Sequence, residues 1–558
     1  MTEIAQSNKP TEEKTTNPNK GWVWALTLSA IMLFLPIYLI WFVQTPIWHV
    51  FKLFLQGLPI TLFLFIPAFL FPKCSKFWAI LITVLCMPAI IFSGMHVYYF
   101  NTTISEQSLF AIFESNMSES KEFLNSQITF GSVLCFLFLI LTPVYFLVRF
   151  LKREVKPCKY AKIWGTILLI SAIWLFGFSK NPYRNLGENT ISKLYYSYQN
   201  YRIKVAEIKS YMEKMKNATA PNVKNENDNP ITLLVVIGES SSRNHWGLYN
   251  YFRDTTPELK SIENELLVFK NVISPWARTT LCVSDAVTCK NIPNTGDVPM
   301  MNIFKQAGFA TTWISLQSTV DEENAIVCLV SGADRCVYLN RGGEQGYSRV
   351  HDGKAMPTLR EVLSKEPKNK KRIIFIHTMG SHVNYASRFP SEYAKFNNED
   401  EIKDQPWFVS RSKKYINDYD NSICYTDHIL CEYINAIRNE PNSVMLYFSD
   451  HGEECFDSRN QHGHHDSFES KFYFEIPYII WMSENYKKSL PEETLNRWKE
   501  ATNIPFVNYA AYTILQLAGV TLDCNNLNKT PLSPDYKAGP RIIHEQDFDK
   551  YFYSKELK

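Results

Sequence analysis

Five long apolar stretches fill the first third of the chain, and they constrain the fold more than any other feature of the sequence. They cover residues 22–43, 51–71, 77–100, 130–150 and 163–178. A helix needs roughly 20 apolar residues to cross a bilayer, a length that the last stretch does not quite reach. Soluble proteins rarely place so many such runs together, so we predict an α-helical membrane domain of five spans over residues 1–180.

Charges in the short loops predict the orientation of these spans. The loop before the fifth span is strongly basic, with Arg149, Lys152, Arg153, Lys156, Lys159 and Lys162 against one glutamate. The 101–129 loop instead holds four glutamates and one lysine. The positive-inside rule therefore places the amino-terminal tail and the basic loops in the cytoplasm. With five spans, everything after about residue 180 is expected on the outer side.

The rest of the chain has the composition of a soluble protein. Residues 181–230 are predicted to be an interfacial linker, and 231–558 an outer domain. Four tyrosines of the linker suit a membrane–water interface, although ordinary helix packing explains them equally well: Tyr195, Tyr196, Tyr198 and Tyr201. The formal net charge of +3 is small for 558 residues and gives no support to nucleic-acid binding.

The outer domain alternates between two kinds of segment. Apolar, β-branched and aromatic runs at 231–238, 310–316, 372–380 and 443–450 are typical of buried strands. Amphipathic segments that could be helices lie between them. This alternation predicts an α/β sheet that is covered on both faces.

Polar side chains follow three of these strands. They are Glu239, the pair Asp450–His451, and His377 with His382, and the nearby string QHGHHD adds His462, His464 and His465. Ligands of open α/β sheets bind outside the carboxyl ends of the strands. Carboxylates and imidazoles without cysteine suit Zn²⁺, and Mn²⁺ less well. Each residue alone has a simpler interpretation, such as a helix cap for the aspartate or a core position for His377.

A set of ordered motifs resembles the phosphoethanolamine transferases that modify lipid A or the lipopolysaccharide core, among them the mobile colistin-resistance enzymes. The motifs are VVIGESSSRNHWGLYNYFRDTTPEL (235–259), FKNVISPWARTT (269–280), HTMGSH (377–382), YINDYDNSICYTD (415–427) and SDHGEE (449–454). They cover the outer domain in order, and the five amino-terminal spans are similar too. The end of the first motif is closer to the core-heptose type than to the lipid A type.

The resemblance implies an alkaline-phosphatase-like outer domain with a threonine nucleophile. By position this is Thr279, with Thr280 as the neighbour that could be confused with it. Zinc, one ion or two, would be held by Glu239, Asp450 and His451 with Thr279 as the fourth ligand. His382 and His462 would contact the phosphate or a second zinc, with His464 or His465 as alternatives to His462.

The implied reaction takes phosphoethanolamine from phosphatidylethanolamine to a lipopolysaccharide acceptor. It would run through phosphothreonine, in the inner membrane of a bacterium with the catalytic domain in the periplasm. The loop ESNMSES resembles the donor-binding element of the family, which makes Ser115 and Glu119 candidates, although an exposed acidic loop explains it equally well. The disulfides of the family have counterparts in Cys282–Cys289 and Cys328–Cys336. A monomer is the expected state.

Three other functions share features with this sequence. A glycerol-phosphate transferase of the lipoteichoic acid synthase type would share the five spans, the outer fold and the threonine, but the 235–259 and SDHGEE motifs favour ethanolamine transfer. A sulfatase is disfavoured because no Cys/Ser-x-Pro-x-Arg string occurs. An inactive membrane receptor on the same scaffold is disfavoured because Thr279, Asp450 and His451 are all present.

Overall fold

The computed structural model describes most of the chain after residue 70. The described ranges are 71–100, 128–153, 190–226, 229–318, 325–340, 350–365, 367–465, 468–524 and 526–553, with isolated positions at 27–31, 104–109 and 163–170. The described residues form two compact units, and the first gives way to the second between residues 204 and 205. That boundary falls inside the predicted 181–230 linker.

The described helices begin with two apolar ones. In chain order the helices are α1 Ser75–Phe100, α2 Phe130–Leu151, α3 Thr190–Lys216, α4 Pro257–Ser261, α5 Thr279–Ala286, α6 Met300–Gln306, α7 Ala325–Val330, α8 Ala355–Lys365, α9 Ser412–Ile437, α10 Glu484–Ser489, α11 Glu492–Ala501, α12 Ala510–Ala518 and α13 Phe548–Tyr553. By length and composition α1 and α2 could each cross a membrane. They match the predicted spans 77–100 and 130–150, whereas the other three predicted spans lie almost entirely outside the described residues.

A capping box fixes the start of α2. The Thr129 hydroxyl accepts from the Ser132 backbone N–H at 3.1 Å, and the Ser132 hydroxyl accepts from the Thr129 N–H at 2.8 Å. Two donors that a helix start would leave without a partner are thereby satisfied.

One large sheet and five short strand pairs make up the β structure of the described residues. In chain order the strands are β1 Lys224–Asn225, β2 Thr232–Gly238, β3 Leu266–Val268, β4 Val272–Ile273, β5 Thr288–Ile292, β6 Gly296–Pro299, β7 Ala310–Ser318, β8 Arg335–Asn340, β9 Arg372–His377, β10 Ser443–Ser449, β11 Glu454–Cys455, β12 His462–Gly463, β13 Tyr478–Met482, β14 Phe506–Val507, β15 Val520–Thr521, β16 Ile542–Ile543 and β17 Gln546–Asp547.

The seven-stranded sheet has the order β3-β13-β10-β2-β9-β7-β8. Its central four strands, β10, β2, β9 and β7, are the four that the sequence predicts, and they pair in parallel. Strand β13 is antiparallel to both of its neighbours. Since the four parallel strands point the same way, their carboxyl ends lie along one edge of the sheet.

Both faces of the sheet are covered, as the apolar strands predict. Along β2, Leu233, Val235 and Ile237 enter one hydrophobic core, whereas Leu234 and Val236 enter the other. Because side chains alternate across a strand, a strand that is buried on both faces must be apolar at every position. Helices α5 and α12 contribute to the first core, and α8 and α9 to the second.

A buried charge network ties the segment after β2 to α9. The His245 ring contacts Asp420 through Nδ1 at 2.7 Å and Asp457 through Nε2 at 3.1 Å. Arg253 and Tyr251 donate to the second Asp420 oxygen at 2.8 and 3.1 Å. Burial lowers the pKa of His245, but the negative charges of Asp457 and Asp420 outweigh this effect. The resulting pKa of His245 is raised to about 10. His245 is therefore a cation that joins three segments of the chain.

This network predicts a specific pH dependence of stability. The folded pKa of His245 is about 10 against an ordinary 6.5, so its stabilisation is complete below pH 6.5 and is lost as the pH rises through 10. In urea unfolding at a series of pH values, the free energy of unfolding should fall more steeply between pH 7 and 10 for the wild type than for His245→Gln. Parallel curves would show that the imidazolium contributes nothing.

Candidate active site

The site lies at the carboxyl edge of the parallel strands. Glu239 directly follows β2, and Asp450 and His451 directly follow β10. Thr279 is the first residue of α5, preceded by Arg278 in an extended conformation. The structure therefore brings together four residues from three separate segments of the sequence.

Local backbone geometry holds the two acidic residues side by side. Ser240 adopts a left-handed φ of 53°, and its N–H donates to Asp450 Oδ1 at 3.1 Å. The Tyr419 hydroxyl of α9 accepts from the Ser242 N–H and donates to the Ser240 carbonyl, both at 2.9 Å. The segment that follows β2 is therefore fixed on one side by Asp450 and on the other by α9.

The polar atoms of these four residues surround one point. Thr279 Oγ1 lies 3.2 Å from both Glu239 carboxylate oxygens and 3.3 Å from His451 Nε2. His451 Nε2 lies 3.3 Å from Asp450 Oδ2 and 3.6 Å from Glu239 Oε1. Tetrahedral ligands at about 2.0–2.1 Å from one ion are about 3.3 Å apart. The observed separations match such an arrangement.

The electrostatics of the cluster also favour a cation. Glu239 and Asp450 are each only 1% exposed, and within the described part of the chain Asp450 Oδ2 has no hydrogen-bond partner. Burial and the neighbouring Asp450 raise the pKa of Glu239. Burying two carboxylates together is costly unless a positive charge compensates. Glu239, Asp450 and His451 offer ligand atoms within 4.8 Å of one another, so these residues fit a zinc ion.

The tautomer of His451 suits the same role. Its Nδ1 lies 2.8 Å from the Gly452 carbonyl oxygen, which requires the proton on Nδ1. The lone pair of Nε2 therefore faces Thr279 and the carboxylates. Histidines that bind metals commonly donate their other ring N–H to a carbonyl or carboxylate in this way.

A second group of polar side chains adjoins the first. The His464 ring lies 3.9 Å from the His451 ring, centroid to centroid. Its Nδ1 contacts Glu453 Oε2 at 2.7 Å, and the Tyr385 hydroxyl donates to Glu453 Oε1 at 2.6 Å. Burial raises the pKa of Glu453 to about 8. His451, Glu453 and His464 could also hold a metal ion.

The histidines named from the sequence occupy different environments. His382 is half-buried, its Nδ1 has no hydrogen-bond partner among the described residues, and desolvation with Arg388 and the other site histidines lowers its pKa. His462 packs among aromatic rings, with centroids 4.3 Å from Tyr415 and 5.6 Å from Phe456. His464 rather than His462 thus lies beside the four-residue cluster. His465 is half-buried.

His377 is the last residue of β9 and is fully enclosed. Its ring centroid lies 5.8 Å from that of Trp313, and burial lowers its pKa to about 4. A neutral histidine in a packed position agrees with the core interpretation that the sequence favours.

Two further residues of the site, Gln317 and Glu453, are not among those predicted from the sequence. Gln317 lies near the carboxyl end of β7 and donates to Glu239 Oε2 at 3.2 Å and to the Thr378 carbonyl at 2.8 Å. Its position at the end of a predicted strand could have identified it. Glu453 stands inside SDHGEE, but only the fold shows that it points toward His464.

The two disulfides expected from the resemblance are not formed. All eleven described cysteines are free thiols. Cys282 Sγ lies 3.1 Å from the Trp276 carbonyl, and Cys289 Sγ instead faces Cys524 Sγ at 3.5 Å. Cys336 Sγ lies 3.5 Å from the Val330 carbonyl. The candidate donor-binding residues Ser115 and Glu119 lie outside the described residues.

Comparisons with known proteins agree with this geometry. The Sulfatase family model matches residues 231–520, just over half of the chain. The phosphoethanolamine transferase EptC of Escherichia coli O18:K1:H7 is 30% identical over 506 residues, which cover 86% of each chain.

The chain belongs to the phosphoethanolamine transferase family.

Solved structures of the family show the same fold. The zinc complex of the carboxyl-terminal periplasmic domain of EptC from Escherichia coli is 29% identical, with a TM-score of 0.55, and covers 61% of this chain and 98% of its own. The integral membrane transferase EptA from Neisseria meningitidis is 18% identical, with a TM-score of 0.60 and coverages of 92% and 97%. The outer domain of this family member is therefore alkaline-phosphatase-like.

One glycine lets a loop of this transferase approach Glu239. Gly380 has a φ of +47°, and a Cβ there would meet the Glu239 carbonyl oxygen at 2.6 Å and its nitrogen at 2.8 Å. The Asp352 carboxylate accepts from the Gly380 and Met379 N–H groups at 3.0 and 2.7 Å. No side chain larger than hydrogen fits between this loop and the site.

Gly380→Ala should therefore destabilise the protein more than an alanine substitution at a left-handed glycine that has free space around it. Gly308→Ala is the matched control, since Gly308 has a φ of +81° but a Cβ there would meet nothing within 4 Å. We expect the control to lose about 1–2 kcal/mol of unfolding free energy. Gly380→Ala should lose roughly 3 kcal/mol or more because backbone must also move. Equal losses in chemical denaturation would contradict the close approach.

Proposed function

We propose that this chain transfers phosphoethanolamine from phosphatidylethanolamine to a lipopolysaccharide acceptor, lipid A or a core sugar, with Thr279 as the nucleophile. The observation that supports this most is the position of Thr279 Oγ1, 3.2–3.3 Å from Glu239 and His451. Two relatives are named phosphoethanolamine transferases. The name of a third relative gives Kdo(2)-lipid A as its acceptor.

Zinc is the proposed cofactor. Glu239, Asp450, His451 and Thr279 would hold one ion, and His464 with Glu453 is the place for a second. A bound zinc lowers the pKa of a coordinated hydroxyl and offsets negative charge on phosphoryl oxygens. The zinc complex of an EptC domain supports this choice of metal.

The residues around Thr279 activate its hydroxyl and contact the phosphoryl group. A threonine hydroxyl is a weak nucleophile at neutral pH, and here its oxygen has carboxylate and imidazole acceptors within reach. Thr279 begins α5, and the first turn of a helix presents N–H groups that favour phosphate oxygens. His382 is a proposed contact to the remaining phosphoryl oxygens, and His464 is a proposed contact to these oxygens or to a second zinc. His462 packs against Tyr415 and Phe456 instead.

The reaction then proceeds in two displacements. Thr279 Oγ1 attacks phosphorus, the bond from phosphorus to the glycerol oxygen breaks, and diacylglycerol leaves after gaining a proton. An acceptor hydroxyl or phosphate next attacks the phosphothreonine and restores the free Thr279. Both displacements use the same site, as expected of ping-pong chemistry.

The cellular setting follows from the donor. A lipid is cleaved at its head group, so the site must work close to a membrane surface. We propose a multi-pass protein of the bacterial inner membrane with five spans, a periplasmic catalytic domain and a monomeric state. Ser115 and Glu119 stay candidates for donor binding.

The test is release of diacylglycerol from phosphatidylethanolamine by the purified chain, followed by mass spectrometry of envelope lipids. Thr279→Ala should reduce release by a factor of about 10³ or more, since the nucleophile is lost. Thr280→Ala is the matched control and should keep substantial activity. Loss in Thr280→Ala with activity in Thr279→Ala would move the nucleophile by one residue. A glycerol phosphate on the product lipid would favour the lipoteichoic-acid-synthase type of transfer.

The same assay separates two neighbouring histidines. His464→Asn should lower the rate of release by a factor of about 10–100, because it removes a side chain that adjoins His451. His462→Asn should act mainly on thermal stability, because that ring packs against Tyr415 and Phe456. The reverse pattern would assign the phosphate contact to His462.

A further inference from the structure

Two cysteines far apart in sequence face each other inside the outer domain. Cys289 on β5 is fully buried, and Cys524, which follows β15, is partly exposed. Their Sγ atoms are 3.5 Å apart, at a thiol–thiol contact distance. The family resemblance pairs Cys289 with Cys282, whose thiol instead contacts the Trp276 carbonyl at 3.1 Å.

The backbone on both sides of this contact is held in place. Asn526 Nδ2 donates to the Lys290 carbonyl at 3.0 Å, and the Lys290 N–H donates to the Tyr512 hydroxyl at 3.3 Å. These bonds join the residue after Cys289 to α12 and to the segment after Cys524. The two thiols therefore face each other because of a defined docking of chain segments.

We propose that Cys289 and Cys524 form a structural disulfide in the mature protein. The proposal does not depend on the transferase reaction. It needs an oxidising compartment, such as the periplasm, where disulfides persist.

The chemistry requires a disulfide-bearing donor protein as the oxidant. The partly exposed Cys524 thiolate attacks the donor disulfide and forms a mixed disulfide, releasing one donor thiolate. Cys289 then loses its proton and attacks Cys524 Sγ, so that the Cys289–Cys524 bond forms and the second donor thiolate leaves. Two electrons pass to the donor, which ends as a dithiol. A hydrogen bond from Cys289 lowers the pKa of Cys524, which favours it as the attacking thiolate.

The position of the bond suggests what it stabilises. Strand β5 comes directly after α5, the helix that begins with Thr279. Strand β15 pairs with β1, where the chain enters the outer domain. Asn222 also donates to Asp523 at 2.6 Å, one residue before Cys524. The disulfide would therefore connect the nucleophile-bearing segment to the entry and the carboxyl-terminal part of the domain.

The test is peptide mapping of the full-length protein, produced in the oxidising compartment and purified in detergent. Free thiols are alkylated before digestion, and peptides are analysed without reduction. We expect the Cys289 peptide linked to the Cys524 peptide, in the wild type and in Cys282→Ser, and no such link in Cys524→Ser. A wild-type link between Cys289 and Cys282, or alkylation of both Cys289 and Cys524, would overturn the proposal.

Thermal unfolding gives an independent readout on the same samples. Reductant should lower the Tm of the wild type by about 5 °C more than that of Cys524→Ser, because only the wild type loses this cross-link. Cys282→Ser is the matched control and should respond as the wild type does. An equal shift in the wild type and Cys524→Ser would contradict a stabilising bond.

Discussion

The structure of the outer domain depends on keeping two carboxylates, Glu239 and Asp450, buried next to each other. Two neighbouring carboxylates repel each other, and burial removes the water that would otherwise stabilise their charges. The fold offsets this with N–H donors from Ser240 and His451 and with the polar atoms of Thr279 and Gln317. One oxygen, Asp450 Oδ2, accepts no hydrogen bond from the residues that the structure describes. A bound cation would compensate the negative charge of this cluster.

The scaffold around the cluster is arranged to hold it rigidly. Parallel strands β2 and β10 are in register from Thr232 opposite Ser443 to Gly238 opposite Ser449, so the residues after them are adjacent. Helix α9 contributes Tyr419 to the backbone beside Glu239 and Asp420 to the network around His245. Placing functional groups on strand ends and a long buried helix keeps their geometry fixed, which is what a preorganised site requires.

Much of this arrangement was accessible from the sequence. The central strands and the convergence of Glu239, Asp450 and His451 follow from apolar runs that end in polar residues, because the rule for strand ends is general. The sequence could not show which of His462, His464 and His465 lies beside His451. That depends on the short pairing of β11 with β12. Cysteine pairing was equally inaccessible: spacing favours Cys282 for Cys289, whereas the packing of β5 against the segment after β15 brings Cys524 to it. The close approach of Gly380 to Glu239 could not be predicted, because it depends on the fold in three dimensions.

Metal content measured together with thermal unfolding shows whether a zinc ion completes the buried carboxylate cluster. Full-length protein would be dialysed against a chelator and then titrated with zinc. We expect at least one tightly bound zinc per wild-type chain. The Tm should rise by several degrees when zinc is returned, because zinc binds preferentially to the folded state. Asp450→Asn should lose both responses. A wild-type protein that binds no zinc, or whose Tm is the same with and without zinc, would show that the cluster is not a zinc site.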